Sequence, residues 1–115
     1  MPTLRQRPAD DQLVDRARAG DHAAFATLLR RHDEAMRRLA FRLLADADAM
    51  DDALQDAYLR AYRALPSYGN RAQFGSWLYR ITYNACIDEL RRARRRPVTM
   101  ADPPEVAAAR AGPER

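Results

Sequence analysis

Between residues 22 and 45 the apolar side chains of Phe25, Leu28, Leu29, Met36, Leu39, Ala40 and Leu43 recur three, four or seven positions apart, with no proline or glycine among them. That spacing lines one stripe of an α-helix. A strand cannot use it, because its two faces alternate with a period of two. The arginines of the same stretch (Arg30, Arg31, Arg37, Arg38 and Arg42) fall mainly off the stripe and read as a solvated face.

The rest of the chain repeats the pattern at other lengths. Residues 10–19, DDQLVDRARA, read as a short helix. Asp10 and Asp11 suit its positive N-terminal end, and Gly20 suits a left-handed termination. Asp21 is placed to cap the long helix that follows. Residues 46–50 read as a connection, with Asp48 as the candidate cap of a third helix over 51–65. Leu54, Ala57, Tyr58, Ala61 and Leu65 form its stripe, and Pro66 ends it. Residues 66–72, PSYGNRA, are turn formers. A fourth helix over 73–96 turns Phe74, Trp77, Leu78, Ile81, Ala85 and Leu90 inward and stops before Pro97. Four helices with short connections predict an all-α fold, a compact and largely antiparallel four-helix bundle. It occupies residues 10–97, between a disordered start (1–9) and a flexible linker (98–115) that has no apolar stripe.

Several function classes drop out. No apolar run is long enough to span a membrane, and no apolar segment follows the basic residues at the start, so a cytoplasmic location is expected. The single cysteine, Cys86, excludes an internal disulfide and reads as a small buried group. His22 and His32 lack metal-ligand spacing and read as surface residues, so no metal is expected. With no Gly-rich phosphate loop and no paired nucleophile and base, neither a cofactor nor catalysis is expected.

Charge is distributed unevenly. Residues 66–97 carry seven arginines against Asp88 and Glu89, a net +5 where the whole chain has only +4. One basic segment points to nucleic acid more strongly than a global excess does. Arg91, Arg92, Arg94, Arg95 and Arg96 suit phosphates, which carry no sequence information. They equally suit a solvated helix end that favours the dipole. Tyr79 and Tyr83 share a face one turn apart, either packing partly or offering rings to unstacked bases. Arg80 and Asn84 are also one turn apart, and these side chains pair well with guanine and adenine edges. Asp88 continues that row and is expected to pair with Arg91 or Arg92. On the third helix Asp52, Gln55, Asp56 and Arg60 form a polar ridge beside Leu59, either an ordinary wet face or a docking surface for a protein.

Three stretches together resemble region two of the extracytoplasmic-function (ECF) sigma factors of bacterial RNA polymerase. Residues 24–44, AFATLLRRHDEAMRRLAFRLL, look like the family's first long region-two helix. DDALQDAYLRAYRAL is similar to its Asp-x-x-Gln-Glu/Asp helix, and FGSWLYRITYNACIDELRRARRRP to its Trp-Leu-Tyr-Arg-Ile-x-x-Asn-x-x-x-Asp helix. The resemblance covers roughly residues 10–97. It implies a binding protein, not an enzyme, that sits between core RNA polymerase and promoter DNA and helps melt the −10 element. Asp52, Gln55, Asp56, Leu59 and Arg60 would dock on the β′ clamp coiled coil. Tyr68, Asn70 and Arg71 would belong to the loop that pockets a flipped base. Tyr79, Arg80, Tyr83 and Asn84 would face the melted strand, and Arg91, Arg92 and Arg95 would hold phosphates. An anti-sigma factor is a further implied partner. Gly69 and Asn70 stand where many relatives carry Arg and Gly, which implies a different base preference. No second, −35-reading domain follows Pro97, so the resemblance implies a region-two fragment of a longer protein. A helical protein-interaction module and a general single-strand binder are the alternatives.

Overall fold

The computed structural model describes residues 8–69 and 73–95. It holds four α-helices: α1 (Asp10–Arg18), α2 (His22–Leu44), α3 (Ala47–Ala64) and α4 (Phe74–Arg95). A short 3₁₀ turn, Leu65–Ser67, follows α3. No described residue is in a strand. The expected linker lies outside the described residues, as does the start up to residue 7.

Each boundary has a local cause. Gly20 (φ 108°) takes the left-handed turn after α1, with open space around it, so the backbone angle alone calls for glycine. The Asp21 carboxylate accepts the Ala24 amide at 3.1 Å and caps α2. The break between α2 and α3 is tighter than the expected connection over 46–50. Ala45 turns left-handed at φ 54°, and Asp46, not Asp48, is the cap, accepting the Asp48 amide at 3.3 Å. Two residues therefore reverse the chain, and α3 starts four residues earlier than the sequence reading has it.

The core runs continuously through Leu13 and Val14 of α1, Leu28, Met36 and Leu44 of α2, Leu54 of α3, and Phe74 and Leu78 of α4. On α3 the buried Ala53, Ala57 and Ala61 lie four apart, a smooth inner stripe. Cys86 is fully buried as expected, its thiol pushed up to about 11 by burial and then by the Glu89 charge. Thr82, also fully buried, donates its hydroxyl to the Leu78 carbonyl at 2.8 Å, which keeps an otherwise orphaned polar group satisfied.

Polar ties sew the helices together. Asp10 at the start of α1 meets Arg31 at 3.1 Å and His32 at 2.8 Å on α2. The expectation of a surface His32 is thereby corrected. Its half-buried ring also packs on Phe74, at 5.5 Å between centroids. A Cβ at Gly75 would come within 3.0 Å of that ring, so glycine lets α4 pass close to α2. Between α2 and α3, the Tyr58 hydroxyl donates to Asp33 at 2.6 Å, and Arg37 donates to the other oxygen of that carboxylate at 2.8 Å.

Candidate nucleic-acid interface

Helix α4 buries one side and leaves an arc outward. Tyr79 and Tyr83 are 44% and 43% exposed, and Arg80, Asn84 and Arg91 are exposed with them. Neither ring is spent in the core. The i, i+4 pairs Tyr79/Tyr83 and Arg80/Asn84 put two rings beside a cation and an amide on consecutive turns. Beneath the first turns a cleft of about 490 Å³ opens between α2 and α4, lined by His32, Met36, Gln73, Ser76, Tyr79 and Arg80. Neither Gln73 nor Ser76 stands out in the sequence, because the cleft exists only once α2 and α4 are packed together.

Tyr68 requires a correction. It is 6% exposed, with its ring edge-on to Trp77 at 5.0 Å and 6.3 Å from Phe74. Burial and the nearby Asp11 and Asp10 charges raise its hydroxyl above the ordinary tyrosine value. Its ring is buried against α4, so it is not exposed as a stacking platform. Asn70 and Arg71 lie outside the described residues, as does the side chain of Arg95 at the end of α4.

The basic end of α4 is less free than its composition suggests. Arg92 donates to Glu89 at 2.5 Å, and Arg91 lies 3.6 Å from Asp88. These short-range pairs fit the expectation for Asp88 in part. Its closer partner is Arg60 of α3, at 2.7 Å.

On α3 the expected ridge is present. Asp52, Gln55 and Leu59 are exposed, Leu59 by 48%, and Asp56 is half-buried. Arg60 is turned toward α4, where one guanidinium nitrogen reaches both Asp56 (2.8 Å) and Asp88 (2.7 Å). Tyr62, 47% exposed, extends the apolar part of the ridge one turn beyond Leu59, its ring edge-on to Phe25 at 5.7 Å. Sequence spacing places Tyr62 off the stripe, and only its exposure marks it as part of a surface. The ridge is thus flanked by the Tyr58–Asp33 tie to α2 on one side and the Arg60–Asp88 tie to α4 on the other.

Among the described residues no three His, Cys, Asp or Glu side chains gather as a metal site. No described helix is long and apolar enough to cross a membrane.

Comparison with known proteins identifies the family. The family model Sigma-70 region 2 matches residues 28–96. The ECF RNA polymerase sigma factor SigM of Mycobacterium tuberculosis is 44% identical over 93 residues, 81% of this chain and 47% of SigM. RNA polymerase sigma-H factor of Pseudomonas aeruginosa is 38% identical over 88 residues, 76% of this chain and 46% of that protein. The ECF RNA polymerase sigma-E factor of Escherichia coli is 35% identical over 94 residues, 82% of this chain and 49% of that protein. The chain therefore spans about half the length of these relatives. An engineered region 2 of sigmaE, solved by NMR in complex with GTAAAA, superposes with a TM-score of 0.71 at 35% identity, covering 79% of this chain and 96% of that one. The motifs, the four-helix fold and these matches make one assignment: this chain belongs to the sigma-70 region 2 family, as a region-two domain of the ECF type.

Proposed function

We propose that this domain joins core RNA polymerase to the −10 element of a promoter and helps open it. Asp52, Gln55, Asp56 and Leu59 on α3 dock on the β′ clamp coiled coil. Tyr79, Arg80, Tyr83 and Asn84 on α4 face the melted strand, with Asn70 and Arg71 in the loop that receives a flipped base. Arg91, Arg92 and Arg95 hold duplex phosphates in this reading. The observation that carries this reading is the outward arc of two rings, a guanidinium and an amide on a fold similar to one that binds GTAAAA.

The chemistry is binding, not catalysis. Unstacking a base costs a few kcal/mol. Stacking on exposed rings returns roughly 1–3 kcal/mol per base, so capture of two bases offsets the opening of as many. Docking on polymerase and an arginine-rich helix end bring the strand to the arc before it opens. An anti-sigma factor that covers both faces would keep the domain silent. All of this belongs in the cytoplasm, where polymerase and promoter are.

The test is affinity for single-stranded GTAAAA against a scrambled hexamer. Wild type is expected to prefer GTAAAA. Arg80→Ala and Asn84→Ala should each reduce the preference by about 1–3 kcal/mol. Equal binding of both hexamers and of every single-base variant of GTAAAA by wild type would point instead to a general single-strand binder.

A further inference from the structure

Arg60 does not behave as a member of the docking ridge. Its guanidinium lies in the seam between α3 and α4, and a single nitrogen is shared between Asp56 on the ridge and Asp88 on α4. Asp88 uses its second oxygen toward Arg91, at 3.6 Å. It also stands one turn beyond Asn84 and two beyond Arg80, in the row that faces the strand. The chain Asp56–Arg60–Asp88–Arg91 therefore runs unbroken from the ridge to the arc.

The packing around this chain explains why it matters. α3 presents to the core Leu54 and the smaller Ala53, Ala57 and Ala61, and α4 presents Leu78 and Leu90 beside Ala85 and Cys86. Three of the four buried residues of α3 are thus alanines, which offer only low ridges for packing. Thr82 spends its hydroxyl within its own helix. A charged hydrogen bond of fixed length is directional where alanine contacts are not.

We infer that Arg60 is a positioning residue. It sets the register of α4 on α3, so that occupation of the ridge and grip on the strand depend on each other. When a partner's basic group engages Asp56, the shared guanidinium nitrogen loses one of its two acceptors and is held by Asp88 alone. The inference rests on the function proposed above and adds to it the residue through which its two halves communicate.

The experiment measures affinity of the full chain for single-stranded GTAAAA by fluorescence anisotropy, with and without a saturating β′ clamp coiled-coil fragment. Wild type is expected to bind the oligonucleotide at least threefold more tightly when the fragment is present. Arg60→Met should bind the fragment within twofold of wild type yet lose that gain. Asp88→Asn, which keeps the shape of the side chain, should lose it too. The double variant should lose no more than either, and Arg60→Lys should recover part of it. Asp88→Asn carries the test if Arg60→Met fails to fold by circular dichroism. The inference is overturned if wild type shows no gain, if the gain survives Arg60→Met or Asp88→Asn, or if Arg60→Met alone weakens fragment binding tenfold, which would make Arg60 a direct contact. Wild type that binds neither probe would remove the underlying function as well, a result distinct from a lost coupling.

Discussion

At the scale of single residues, stability leans on carboxylates that serve two donors. Burial pushes the Asp33 carboxyl up, but hydrogen bonds from Tyr58 and Arg37 and the Arg37 charge outweigh it, leaving the group below its ordinary value. Asp10 follows the same balance, with His32 and Arg31 as its donors. A depressed carboxylate stabilises the fold fully above the unfolded value, near pH 4, and loses that contribution as pH falls through the folded value. Acid unfolding followed by circular dichroism should therefore show a plateau above about pH 4 and a decline below it, and the decline should be shallower in Asp33→Asn. A decline that begins near pH 6 would contradict this. Tyr58→Phe removes one donor to a charged acceptor and should cost roughly 1–2 kcal/mol in urea titration. Arg38→Ala, which breaks only the exposed pair with Glu34 at 3.2 Å, should cost no more than about 0.5 kcal/mol.

At the scale of elements, the sharp reversal between α2 and α3 stands out. Ala45 sits in the left-handed region, where its Cβ is strained and glycine is not. Ala45→Gly relieves about 1–2 kcal/mol of strain against an unfolded-state entropy cost of about 0.5–1 kcal/mol, so it should raise stability by up to about 1.5 kcal/mol. A drop in the urea midpoint would mean that the alanine methyl packs usefully. The same reversal shows where sequence reading stops. The helices themselves were legible because apolar side chains recur at helical spacing over nine to 23 residues. The start of α3 was not, since Ala47, Asp48, Ala49 and Met50 carry a weak stripe and Asp46 and Asp48 are equally good caps on paper. Tyr68 was misplaced for a related reason. It stands among turn formers, and only the meeting of the loop with Phe74 and Trp77 shows that its ring is enclosed.

At the scale of the molecule, the two faces proposed to work, the α3 ridge and the α4 arc, are joined by one seam. Spacing along α3 and α4 groups the side chains of each, because that grouping is a matter of local helical geometry. It could not reveal the seam. Arg60 and Asp88 are 28 residues apart, Asp10 and His32 are 22 apart, and neither separation bears on a periodic pattern. Those pairs exist only once the helices are packed. The proposal that the α3 ridge docks on polymerase is tested most directly by calorimetry with a purified β′ clamp coiled-coil fragment. Asp52 and Gln55 are the residues to change, since both are exposed and the described structure shows no internal bond to either side chain. Wild type should bind, and Asp52→Ala/Gln55→Ala should lose at least about 1.4 kcal/mol, a factor of ten. A folded wild-type domain that ignores the fragment, or a double variant that binds it equally well, would contradict the claim.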